Sequence, residues 1–64
     1  MRVLLRNPRR EVEFVGPMQV TTLLDRLELQ RESHLVICDG TLVPIDSQLP
    51  DDCLVEIRPV ISGG

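Results

Sequence analysis

His34-Leu35-Val36-Ile37-Cys38-Asp39-Gly40-Thr41-Leu42-Val43 sets two apolar, β-branched runs around a single Asp-Gly pair. Asp-Gly tolerates positive φ at both central positions, which is what a two-residue type I′ hairpin turn demands. The turn fixes the register. Cys38 faces Thr41, Ile37 faces Leu42 and Val36 faces Val43, so Val36, Cys38 and Val43 share one face while Leu35, Ile37 and Leu42 share the other.

Upstream of this hairpin, Val20, Leu23, Leu24 and Leu27 recur at i, i+3, i+4 and i+7, the stripe of an amphipathic helix over roughly residues 19–28. Leu29 folds under as the helix ends, and Gln30-Arg31-Glu32-Ser33 is a polar link. Further back, Met1 to Arg6 and Glu11 to Val15 alternate with period two around the turn chemistry of Asn7-Pro8, a second hairpin closed by Gly16-Pro17. Val12 and Phe14 face inward with Val3 and Leu5. Glu11 and Glu13 face water beside the arginines.

Downstream, Pro44 ends the hairpin. Residues 45–52 are expected to form a loop with a short 3₁₀ turn near Ser47-Gln48-Leu49, capped by Asp46-Ser47 and anchored by Ile45 and Leu49. A last strand runs from Cys53 to about Arg58, with Val55 and Ile57 inward, and Pro59 lacks the N–H needed to continue a ladder. Two hairpins and one helix leave this strand only the sheet centre. The expected fold is α+β, a mixed four-to-five-stranded sheet wrapped on one helix in ββαββ(β) order, with a domain at 1–59 and a flexible tail at 60–64.

A chain of 64 residues hides only about 60% of its unfolded surface and has little room for a buried active site. Its longest apolar runs fall far short of a membrane span, and the apolar centre of a signal peptide is missing, so a cytoplasmic location is expected. Seven arginines against ten acids give a net charge of −3, and Phe14 is the one aromatic residue. Nucleic-acid binding, which draws on a basic surface and flat rings, is not expected.

Cys38 and Cys53, with the single His34, match no zinc-ligand spacing. They read as a buried pair of reduced thiols. Asp51-Asp52 reads as solvated turn residues, His34 as a surface residue at the start of its strand, and Asp39 as part of its turn. No constellation for acid–base, nucleophilic or metal chemistry stands out.

The ending Val60-Ile61-Ser62-Gly63-Gly64 follows the last strand as a free arm. A glycine pair without Cβ atoms lets backbone and carboxylate thread a channel too narrow for other residues. A free carboxylate is a poor electrophile. Coupling it to AMP with loss of pyrophosphate creates a leaving group that sulfide, thiol or amine can displace.

The ββαββ order, the strand Leu54-Val55-Glu56-Ile57-Arg58, the following Pro59-Val60-Ile61-Ser62 and the terminal Gly63-Gly64 together resemble the ubiquitin-like sulfur carriers with their β-grasp fold. The likeness covers essentially the whole chain. That group includes the thiamin-pathway carrier, the small subunit of molybdopterin synthase and the carrier serving tRNA 2-thiouridine synthesis. The length and the Ile61-Ser62-Gly63-Gly64 ending sit nearer the first and third.

The resemblance implies a carrier, not an enzyme, with no cofactor or metal of its own. An E1-like adenylating enzyme uses ATP to place AMP on Gly64. A cysteine desulfurase or rhodanese-like donor supplies sulfur as a persulfide, and the resulting thiocarboxylate serves a sulfur-acceptor enzyme. Gly63, Ser62 and Ile61 thread the partner's channel. Leu35, Ile37 and Leu42, bordered by Arg58 and Val60, lie where a ubiquitin-like fold docks its partners, and the free protein is expected to be monomeric.

The chain has no lysine, so its body offers an activated tail only the N-terminal amine. Two alternatives use the same ending: a ubiquitin-like modifier forming isopeptide bonds through Gly64, and a non-catalytic small subunit of a molybdopterin-synthase-like complex.

Overall fold

The computed structural model describes residues 1–6 and 9–60. Its elements are β1 (Arg2–Leu5), β2 (Arg10–Glu13), β3 (Met18–Gln19), α1 (Val20–Arg26), a 3₁₀ turn (Arg31–Ser33), β4 (His34–Cys38), β5 (Thr41–Val43), β6 (Gln48–Leu49) and β7 (Leu54–Pro59). Five strands form a mixed sheet in the order β2-β1-β7-β4-β5, and β3 pairs with β6 in a separate two-stranded ribbon. With one helix against the sheet, this is the β-grasp architecture.

The last strand takes the centre. β7 runs parallel to β1, with Val3 opposite Val55 and Leu5 opposite Ile57, and antiparallel to β4, with Val36 opposite Ile57. Hydrogen-bonded on both sides, it presents Val55 and Ile57 to the helix with almost no exposure. Met1, Val3, Met18, Val20, Leu23, Leu24, Val36, Leu49 and Cys53 complete that core, with Leu5, Phe14, Leu27, Leu29, Cys38 and Val43 packed around it.

The β4–β5 hairpin has the register its turn dictates, Val36–Val43, Ile37–Leu42 and Cys38–Thr41. Asp39 and Gly40 have φ of 50° and 85°, the two positive values of a type I′ turn. Asp39 does more than turn the chain. Its N–H donates to the Leu54 carbonyl at 2.8 Å, and its Oδ1 accepts the Leu54 N–H at 2.9 Å, replacing the ladder carbonyl that the turn has carried away.

The helix ends by a mechanism the leucine pattern alone does not specify. Glu28 adopts φ 59°, its N–H donates to the Asp25 carbonyl at 3.1 Å, and the Leu29 N–H reaches the Leu24 carbonyl at 2.9 Å. These are the two bonds of a Schellman motif. They tuck Leu29 under the helix against the core. At the other end no side chain caps the helix, and the Val20 N–H donates to the Ser47 carbonyl at 3.0 Å.

Four expectations need correction. Ser47-Gln48-Leu49 holds no 3₁₀ turn: Gln48 and Leu49 pair with Gln19 and Met18 as strand, because Leu49 at 0% exposure is drawn under the helix. Ile45 is no anchor, being 42% exposed. The 3₁₀ turn lies in the polar link, where the Ser33 N–H donates to the Gln30 carbonyl at 3.2 Å. Pro59 does not end pairing either: it stands opposite His34, and the Val60 N–H donates to the Ser33 carbonyl at 2.8 Å. Losing one N–H costs the ladder one bond, and the next residue continues the pairing onto Ser33, immediately before β4.

Candidate functional site

The outer face of the sheet is built by the residues that alternate with the core. In β7 these are Leu54, Glu56 and Arg58; in β4, Leu35 and Ile37; in β5, Leu42. Cross-strand register sets them in rows, with Ile37 between Glu56 and Leu42 and Leu35 beside Arg58. Leu35, Leu42 and Val60 are exposed and Ile37 is half-buried. The fold therefore brings together all five residues assigned to docking.

Beside them lies a feature that the strand pattern does not reveal. A groove of about 420 Å³ opens where α1 stops covering the β5 edge, with Leu35, Leu42, Pro44, Ile45 and Val60 at its lip and Val20, Leu24, Val36 and Val43 beneath. Its walls are mostly apolar. The signal available in the sequence is Pro44-Ile45: a proline that stops the strand before an isoleucine places an aliphatic side chain where no further sheet covers it.

The charged border is defined by Glu56, whose Oε2 accepts Arg6 Nε at 3.2 Å and Arg58 Nε at 3.1 Å. Both guanidinium groups remain about half exposed, so each pair contributes only a few tenths of a kcal/mol and chiefly orients the arginines. Ile61, Ser62, Gly63 and Gly64 lie outside the described residues. Val60, the last described residue, leaves β7 beside Ser33.

Other titratable groups are structural. Both cysteines are free; Cys53 is buried, but Cys38 is only half-buried, which corrects the expectation of a buried pair. The Cys53 thiol donates to the Pro50 carbonyl at 3.1 Å. Its pKa is pushed up from 9.0 to about 11, first by burial and then by its contact with the Cys38 thiol, so it stays protonated and a poor nucleophile at neutral pH. The His34 ring meets the Gln30 carbonyl through Nδ1 at 2.9 Å.

Asp51, read as merely solvated, accepts the Gly16 N–H at 2.8 Å and thereby fastens the loop before β7 to the end of the first hairpin. The Met1 amine donates to the Phe14 carbonyl at 2.7 Å. Among the described residues no group of His, Cys, Asp and Glu is arranged to hold a metal ion, and no helix is long and apolar enough to cross a membrane.

No family model matches the sequence. A full-length relative does: the chain is 32% identical, over 65 aligned positions that take in all of both proteins, to the sulfur carrier protein TtuB of Thermus thermophilus. Identity of that size across an entire β-grasp chain is not confined to one motif or one element, and the chain belongs to the family of ubiquitin-like sulfur carriers.

Proposed function

We propose that this protein carries sulfur as a thiocarboxylate on Gly64, for thiamin-type cofactor synthesis or tRNA 2-thiouridine synthesis. The observation that carries the reading is the full-length relationship to a sulfur carrier in a chain that itself ends Gly63-Gly64.

In the first step an E1-like enzyme binds ATP, and the Gly64 carboxylate attacks the α-phosphorus, releasing pyrophosphate and leaving an acyl-adenylate. The terminal sulfur of a donor persulfide then attacks the acyl carbon and expels AMP, giving an acyl disulfide. A thiol reduces that disulfide, and the tail is left with a C–S bond where a C–O bond had been. The free thiocarboxylate is the nucleophile delivered to the acceptor enzyme.

The chain's own contribution is presentation. Gly63 and Gly64 have no side chains to obstruct a tunnel, and Ser62 and Ile61 fill its wider approach. Leu35, Ile37 and Leu42 with Arg58 and Val60 form the surface on which the partner seats, and the groove at Pro44-Ile45 enlarges its apolar area.

Mass spectrometry of the protein from its native cells tests the reading. A mass gain equal to sulfur replacing oxygen, confined to Gly64, is the expected result, together with loss of the biological activity when Gly63-Gly64 is deleted. Adducts joining Gly64 to lysines of other proteins favour the modifier reading. Full activity without the two glycines favours the non-catalytic subunit.

A further inference from the structure

The two cysteines meet where β4 ends and β7 begins. Cys38 stands opposite Val55, and Cys53 lies two positions before Val55 on the same inward side of the sheet. Between them the Asp39 N–H donates to the Leu54 carbonyl at 2.8 Å, and the Leu54 N–H donates to Asp39 Oδ1 at 2.9 Å. Each cysteine therefore directly precedes one member of a doubly hydrogen-bonded pair. The right-handed twist of antiparallel strands shortens the diagonal that joins residues so placed, and their side chains converge. The thiols are in contact.

The pair is unequal. Cys53 is 4% exposed and its thiol is tied to the Pro50 carbonyl at 3.1 Å, whereas Cys38 is half-buried. A reagent arriving from solvent meets Cys38 first. A metal is a poor fit, since two thiols find no third ligand among the described residues. The chemistry proposed for the tail uses neither thiol: Cys53 precedes the start of β7, and Val60 follows its end.

We propose that Cys38 and Cys53 form a thiol–disulfide exchange site whose oxidant is a small, glutathione-like disulfide. The Cys38 thiol loses its proton and attacks one sulfur of the small disulfide, whose S–S bond breaks; one small thiolate leaves with the electron pair and takes up that proton. Cys53 then loses its proton and attacks the Cys38 sulfur of the mixed disulfide, expelling the second small thiolate, which is protonated in turn. Two protein thiols are oxidised to one disulfide, and one small disulfide is reduced to two thiols. The contact gives the second step a high effective concentration. The new bond fastens the end of β4 to the start of β7 and closes the segment 38–53, which carries β5 and β6.

The test uses the whole chain incubated with glutathione disulfide at neutral pH and followed by intact-mass spectrometry without reductant. The expected course is a transient adduct of one glutathionyl group, then a monomer lighter than the starting chain by two hydrogens. In the Cys53→Ala chain the glutathionyl group stays on Cys38, and the Cys38→Ala chain takes up the group at least about tenfold more slowly than the unaltered one. Circular dichroism establishes that each variant is folded.

A second measurement needs no variant: brief alkylation of the folded, reduced chain labels Cys38 at least about tenfold faster than Cys53, as peptide mapping reads it. The oxidised monomer also has a higher urea midpoint than the reduced one. Equal labelling of the two thiols, a glutathionyl adduct on the unaltered chain that never resolves, or disulfide-linked dimers in place of the lighter monomer overturn the exchange site. A lowered urea midpoint does so too, because it shows that the native fold does not bring the sulfurs together without strain.

Discussion

Leu35 and Val36 are neighbours in one strand and both aliphatic, yet Val36 is 3% exposed and Leu35 is 43% exposed. The pleat turns one into the core and the other onto the open face of the sheet. The same division runs through Cys38 and Ile37, and through Val43 and Leu42. Folding requires the inner set, whereas nothing in the fold requires the outer set to be apolar. The outer residues are therefore where substitution tests the proposed partner recognition apart from stability.

The largest expected effect lies on the inner side. Leu49→Ala empties a fully buried site that anchors the β3–β6 ribbon and should cost about 3 kcal/mol in urea unfolding, a large share of the stability of so small a domain. Val36→Ala should cost about 2 kcal/mol, against less than about 0.5 kcal/mol for Leu35→Ala. Equal losses at 35 and 36 would break the distinction between the faces.

Asp39→Ala is expected to cost about 1–2 kcal/mol, since it strands the Leu54 N–H and puts alanine at positive φ. Glu28→Gly tests the helix end in the opposite direction: relieving a left-handed residue in the Schellman motif should stabilise by about 0.5–1 kcal/mol. Either unfolding midpoint moving the other way would refute the assigned turn chemistry.

The smallest effect is one of pH. The folded pKa of Cys53 is raised, so between about pH 9 and 11 the unfolded chain loses a proton that the folded chain keeps, and stability falls as pH rises through that window. Below pH 9 the contribution is fully present. The chain has no Lys or Tyr to titrate nearby, so Cys53→Ala should flatten the curve measured by denaturant midpoint.

Legibility followed the range of the interactions. The β4–β5 register was readable because Asp39-Gly40 encodes it in adjacent residues, and the helix because its leucines repeat within two turns. Within the loop at 45–52, Gln48 and Leu49 were misread as a 3₁₀ turn, since their conformation comes from partners roughly thirty positions away: Leu49 pairs with Met18, and Ser47 caps the helix at Val20. Of the candidate site, alternation revealed Leu35, Ile37 and Leu42, while the groove beside Ile45 depends on where α1 happens to end.

The sequence alone determined which residues alternate inward, where the chain turns, and that it closes with two glycines, because periodicity, turn chemistry and composition act over a few neighbouring positions. Only the tertiary structure decided that β7 inserts between β1 and β4 and that Arg6 reaches Glu56, fifty positions along the chain. Those juxtapositions depend on strand order and on the parallel direction of β1 and β7, which no local preference carries.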